Sequence, residues 1–235
     1  MVSDQRILLV AAEGREFAGL LPFCSGVRGL AWPVHWAKYA ESAGLRLWMV
    51  ADGAGALHAG KAVELAAAEC APAVIVSMGF CGALDPALRI GDIFVANAIQ
   101  AAGRRFDVCV PASGAPHVTG VLASIDHVAQ TAAEKKLLHE SGAGAVEMEA
   151  GAVARFAFAR GIRMFSIRSV SDTASQSFVT DFNQALLSDG HFGTIRILAS
   201  ALHNPVMAFP ELIRLRRSCG IAAHTLGEFI VSCRF

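Results

Sequence analysis

Five short runs, Ile7–Ala11, Leu45–Val50, Val74–Met78, Ile93–Ala96 and Met164–Arg168, are largely apolar along their whole length. A strand with one wet face alternates apolar and polar residues, whereas a run without that alternation must be covered on both faces. These runs are therefore read as strands of a parallel or mixed sheet. Helix-like stretches fall between them. Over Ala56–Cys70, the residues Ala56, Ala59, Val63, Ala66 and Cys70 recur at three-and-four spacing, while His58, Lys61, Glu64 and Glu69 lie opposite, the pattern of an amphipathic helix. Glu149–Arg160 reads as a second helix stopped by Gly161, since glycine takes the left-handed conformation that ends helices. Glu134–Glu140 reads as a third. Alternating strands and helices build an α/β sandwich around one central sheet, and 235 residues suit a single domain.

From about residue 190 the chain changes character. His191–His203, Pro205–Arg217 and Ile221–Ser232 read as consecutive helices, separated at Asn204-Pro205 and at Gly220. Leu212, Leu215, Cys219, Ala222, Leu226 and Ile230 form a stripe, with Arg214, Arg216 and Arg217 in the same stretch. Such an extension either packs on its own domain or a second subunit, or makes a peripheral membrane contact as an amphipathic surface element. Packing is the preferred reading, because three arginines make a small basic cluster for a surface anchor.

Composition narrows the function classes. Hydrophobic residues make up 54% and charged residues 17%, with 20 basic side chains against 20 acidic ones. That is too apolar for disorder and lacks the basic surplus of a nucleic-acid binder. A membrane-spanning helix needs about 20 apolar residues. The most apolar uncharged run, Cys70–Leu84, is shorter and contains Pro72, Gly79 and Gly82. Met1–Arg6 is mostly polar, unlike the basic start and apolar centre of a signal peptide, so a cytoplasmic location is expected. The six cysteines show no C-x-x-C spacing. They read as buried free thiols rather than metal ligands or a disulfide framework.

Carboxylates collect at a few places. Ala145–Ala150, AVEMEA, sets Glu147 and Glu149 around Met148 at the mouth of a helix. In an extended segment both glutamates face one side; if the helix has begun, they diverge. Ile167–Asp172, IRSVSD, is an apolar strand ending in Ser171-Asp172, where α/β proteins place their active sites. Glu149 as a helix-start charge and Asp172 as a loop cap are the structural alternatives; together the two motifs favour a site. Gly53-Ala54-Gly55 and Gly79-Phe80-Cys81-Gly82 each follow an apolar run. The amides of the first could face an anion or a sugar hydroxyl, although tight turns explain both. Neither is a dinucleotide fingerprint or a P-loop. Glu13 and Glu16 follow the first strand.

In this order the segments ILLVAAEGREF, VSMGFCGALDPALRIGDIFVA, SIDHV, AVEMEAGAVA and IRSVSD resemble the nucleoside phosphorylase/nucleosidase superfamily that includes methylthioadenosine/S-adenosylhomocysteine nucleosidase. The resemblance spans about residues 6 to 175. It implies a three-layer α/β/α sandwich with a central mixed sheet, and hydrolytic cleavage of the bond between adenine and ribose. Asp172 looks like the acid that protonates purine N7, which calls for an apolar cleft that keeps its proton on. Ser171 looks like its orienting neighbour. Glu149 resembles the ionised group that holds the ribose hydroxyls, with Glu147 beside it and Met148 against the sugar. Glu16 resembles the base that activates water, and Glu13 comes three residues too early. Arg168 matches an arginine near that water. Phe80, Cys81, Gly82, His127 and Val128 are expected around the cleft.

Phe80 departs from the pattern, since relatives carry a small polar residue near the nucleophile. A glycine-arginine pair that holds phosphate in phosphorylases has no counterpart, because Arg15 lies in another context. The resemblance thus favours hydrolysis with no cofactor and no metal. Phosphorolysis with phosphate as co-substrate is the alternative, and an inactive nucleoside- or lipid-interacting protein the third reading. Some relatives remove adenine from adenosylhopane, and the oily composition and C-terminal helices resemble that branch. A homo-oligomer, most simply a dimer, is expected.

Overall fold

The computed structural model describes residues 5–203 and 205–235; Met1–Asp4 of the polar N-terminal stretch and Asn204 of the expected helix break lie outside them. Ten strands form one mixed sheet: β1 (Arg6–Ala11), β2 (Ser25–Gly29), β3 (Trp36–Ser42), β4 (Leu45–Ala51), β5 (Val74–Ala83), β6 (Ile93–Ala101), β7 (Arg104–Asp107), β8 (Val118–Ser124), β9 (Ala145–Glu147) and β10 (Arg163–Asp172). Strand β1 lies between β4 and β5 and runs parallel to both, and β10 runs parallel to β5 on its other side. The sheet then closes on itself, because β10 pairs with β6, β6 with β8, β8 with β9 and β9 with β5. Five strands make a ring without free edges, and β1, β4, β3 and β2 extend from it as an open sheet.

The apolar strands are covered on both faces, as their composition demands. On one face, helix α1 (Ala56–Cys70) buries Ala59, Ala62, Val63 and Ala66 beside Val153, Ala154 and Ala157 of helix α3 (Ala150–Ala159). On the other, the last turns of helix α6 (Pro205–Ser232) set Leu226, Phe229 and Ile230 against Leu9, Met49, Val76 and Phe165. Helix α2 (Ala132–Glu140), the short α4 (Phe182–Ala185) and α5 (Thr194–His203) complete the set. All six cysteines are free. Among the described residues no helix is long and apolar enough to cross a membrane.

Two expectations are corrected. Pro205–Arg217 and Ile221–Ser232 are one continuous helix. A glycine inside a helix costs about 1 kcal/mol, and Gly220 is exposed while Ser218, Ala222 and Ala223 beside it are buried, so packing outweighs that cost. Gly79–Gly82 does not follow a strand but lies within β5.

Helix α6 comes close because two glycines face each other. A Cβ on Gly227 would fall 2.0 Å from the Gly19 carbonyl carbon, and one on Gly19 would fall 2.0 Å from the Ala223 oxygen. Backbone on both sides leaves no soft atom to move. Gly227→Ala should therefore destabilise the fold by about 3 kcal/mol, at the upper end of overpacking effects, read as a lower urea midpoint with an unchanged slope.

Candidate active site

The parallel strands β4, β1, β5 and β10 end on one side of the sheet, and their carboxyl ends open into a cavity of about 550 Å³. Each strand contributes one feature there, which is the usual site placement in α/β sheets.

After β1 the chain turns through Gly14–Phe17 and buries Glu16. One oxygen of Glu16, Oε2, accepts from the Ala12 and Glu13 amides at 2.8 and 2.9 Å; Oε1 accepts from the Phe80 amide at 2.9 Å. Burial raises its pKa, opposed by these backbone bonds and by the charge of Arg168. Gly79 makes the approach feasible, since a Cβ there would lie 2.6 Å from Glu16 Oε1. Three residues on, Gly82 does the same for the acid of β10: its Cβ would lie 2.9 Å from Asp172 Oδ2. The two glycines of the GFCG segment are thus clearance for two carboxylates, not turn residues.

After β4, Gly53 and Gly55 adopt φ of +114° and +97°. The amides of this turn, which the sequence left open to an anion or a sugar hydroxyl or else to a tight turn, are bonded within the protein. They donate to the Ala12 oxygen, the Gly190 oxygen and Glu149 Oε1, the last at 2.7 Å. Glu149 lies just before α3 and Glu147 ends β9, and both side chains reach the same cavity. Burial first and the neighbouring Glu147 second push Glu149 up to about 8. Glu149 is thus harder to ionise than the resemblance implied.

Glu147 also lines the cavity, nearly buried, and Arg168 sits behind it. Arg168 is 1% exposed and lies outside the cavity lining. Its Nη2 donates to Glu147 Oε2 at 2.6 Å and to Ser77 Oγ at 2.7 Å. Glu147 Oε2 also accepts from the Glu149 and Ala150 amides. The pair fixes the start of α3, and its guanidinium offsets Glu16 and Glu149 electrostatically. Arg168 thus lies behind the cavity lining, on Glu147.

At the end of β10, Ser171 Oγ donates to Asp172 Oδ1 at 2.8 Å. The other oxygen is not in an apolar wall, as the sequence had suggested. It is ion-paired with Lys135 of α2, which is fully buried and also donates to the Thr173 oxygen at 2.9 Å. Lys135 was not singled out in the sequence, where it falls within the expected helix Glu134–Glu140; its neighbour Lys136 is exposed.

Met148, Cys81, Gly82, Val146 and Val128 line the cavity, and Phe80 lines it with its ring while its amide serves Glu16. His127 reaches it only from an exposed rim position, its ring nitrogens bonded to Asp126 and Glu134. The far wall was not legible in the sequence. Phe178, Phe182 and Phe192 pack edge to face at 5.1 and 6.0 Å, beside Ile197, Leu212 and Leu215 of the C-terminal helices. Buried Glu211 of α6 ties this wall down by accepting from the Val179 and Thr180 amides at 2.7 and 3.0 Å. Among the described residues no cluster of three His, Cys, Asp or Glu side chains could hold a metal ion.

Comparison with known proteins places this architecture. The 5′-methylthioadenosine/S-adenosylhomocysteine nucleosidase of Neisseria meningitidis, solved with methylthio-immucillin-A, is 20% identical with a TM-score of 0.69, over 97% of this chain and 99% of that one. The corresponding Colwellia psychrerythraea enzyme, solved with adenine, is 16% identical with a TM-score of 0.73, over 98% and 95%. Native futalosine hydrolase of Helicobacter pylori is 17% identical with a TM-score of 0.69, over 97% and 96%. No curated protein matches in sequence. The phosphorylase superfamily model matches residues 6–116 and 109–190, and the chain belongs to that superfamily.

Proposed function

We propose that the chain hydrolyses the N-glycosidic bond of a purine nucleoside, with adenine as the base. The observation that carries this reading is the division of labour among the carboxylates of one cavity. Glu16 is fixed by three backbone amides with its pKa raised, Glu149 is also raised, and Asp172 is paired with an ammonium. Cleavage moves positive charge onto the ribose and negative charge onto the leaving purine. Glu16 takes a proton from water as the water oxygen bonds C1′. The C1′–N9 electron pair passes into the purine, and Asp172 delivers a proton to N7. That proton comes from the Lys135–Asp172 pair, which shares one, and solvent returns the Glu16 proton to reset it. Proton transfer of this kind is worth roughly 10²–10⁴-fold. Glu149, once ionised, accepts from ribose hydroxyls and offsets the sugar's charge. The division resembles that of inverting glycosidases.

Water is favoured over phosphate as nucleophile by charge. Glu16, Glu147 and Glu149 face a single buried guanidinium, Arg168, and the Gly53–Gly55 amides are already bonded within the protein. The phenylalanine wall favours an apolar 5′ substituent. The test is free-base release from adenine nucleosides differing at the 5′ position, with and without phosphate. Equal release without phosphate, rising with an apolar 5′ group, is expected; strict phosphate dependence with ribose 1-phosphate as product would sink the hydrolytic reading. The glycines give a second check. Gly79→Ala and Gly82→Ala should each lower turnover by at least about 10-fold, because a misplaced catalytic group loses its geometry. Gly29→Ala, with nothing within 4 Å of its Cβ, should leave it unchanged.

A further inference from the structure

Helices α5 and α6 have two different faces. One lines the cavity with Ile197, Leu212, Leu215 and Cys219. The other is bare: Ile195, Leu202, Val206 and Ile213 are 70–84% exposed, with Met207 and Phe209 exposed beside them. On α6, Val206, Pro210, Ile213 and Arg217 follow one line at helical spacing. The first two turns of that line are apolar and the next carries arginine. Exposed apolar residues scattered singly need no explanation, but a contiguous set marks an interaction surface.

The exposed charge carried by α5 and the first half of α6 has one sign, with Asp181 packed against α5 beside Arg196. Arg196, Arg214 and Arg217 are exposed, Arg196 also donating to the Gln184 oxygen at 3.2 Å, while exposed Arg216 turns to the cavity mouth. The one acid between Thr194 and Ala223 is Glu211, which is buried and bonded to the Val179 and Thr180 amides. A second copy of the chain fits poorly, because a two-fold interface sets each patch against itself and would bring arginine against arginine. The complementary surface is therefore anionic and apolar together.

Against the packing preferred from the sequence, we propose that the α5–α6 corner docks on an anionic lipid bilayer, because the fold leaves this row uncovered and α5 adds Arg196 to the cluster. The apolar row enters the boundary between headgroups and acyl chains, and the arginines stay among the lipid phosphates. The cavity wall formed by the opposite face of the same helices is then held next to the membrane. This inference does not rest on the reading of the chemistry.

The test is co-sedimentation of the full chain with phosphatidylcholine vesicles, alone or with about one-third phosphatidylserine. Binding to the anionic vesicles, weakened by salt, is expected, with little binding to phosphatidylcholine alone. Arg214→Gln/Arg217→Gln should weaken it by about 25-fold, roughly five-fold per arginine. Val206→Asp/Ile213→Asp should abolish it while base release from soluble adenosine stays unchanged, so the docking and the chemistry fail separately. Both positions are solvent-exposed, and circular dichroism checks the fold. Four results would each overturn the proposal: no binding to anionic vesicles, binding unaffected by either double variant, a dimer in sedimentation velocity that Val206→Asp/Ile213→Asp dissolves, or binding to polyglutamate but not to vesicles.

Discussion

Asp172→Asn should lower adenine release by roughly 10²–10⁴-fold, the range for loss of a positioned acid. It should also destabilise the fold, because Lys135 is fully buried and would lose its charged partner. Removing one member of a buried pair typically costs about 3–5 kcal/mol, whereas removing both is often neutral. The double variant Asp172→Asn/Lys135→Met should therefore recover most of the stability and none of the turnover. Urea unfolding beside steady-state kinetics reads both effects. A double variant that regained activity would show that Asp172 matters only to the fold.

The second large effect is on pH. Glu149 holds its proton up to about 8, and Glu16 is also raised, both chiefly through burial. The proposed roles need both groups ionised. Apparent kcat/KM should therefore climb with pH from the acid side and level off near 8, and Glu149→Gln should remove the upper part of that rise together with most of the activity. Linkage fixes the sign for stability. An unfolded glutamate loses its proton near 4.5 while folded Glu149 keeps it to about 8, so the folded state binds more protons between these values. The stabilisation is fully present below pH 4.5 and is lost as pH rises through 8. The urea midpoint of the wild-type chain should fall over this window, and that of Glu149→Gln should fall less.

The sheet was legible because strands buried on both faces carry their environment in composition, as Ile7–Ala11 and Val74–Met78 do. Strand β3, with half-buried and exposed positions interleaved, and β9, with three residues, carry no comparable signal. Helix α1 matched its expected bounds because its apolar stripe and its partner face coincide. Gly220 misled because the turn-breaking tendency of glycine is small beside the burial of its neighbours. At the site, Asp172, Glu16 and Glu149, read through the resemblance, line one cavity. What could not be read was pairing across the fold. Lys135 and Lys136 are identical and adjacent, yet one is buried on Asp172 and the other faces solvent. Arg168 likewise reads as a site residue until it is seen to lie outside the cavity lining, paired with Glu147 that lines it.

The central claim is that Asp172, with Lys135, supplies the proton that makes the purine a leaving group. A riboside whose leaving group is 4-nitrophenolate departs without protonation, so it isolates that step. In Asp172→Asn/Lys135→Met, cleavage of 4-nitrophenyl riboside should stay within about three-fold of wild type while cleavage of adenosine falls by roughly 10²-fold or more. An equal fall for both substrates would contradict the account.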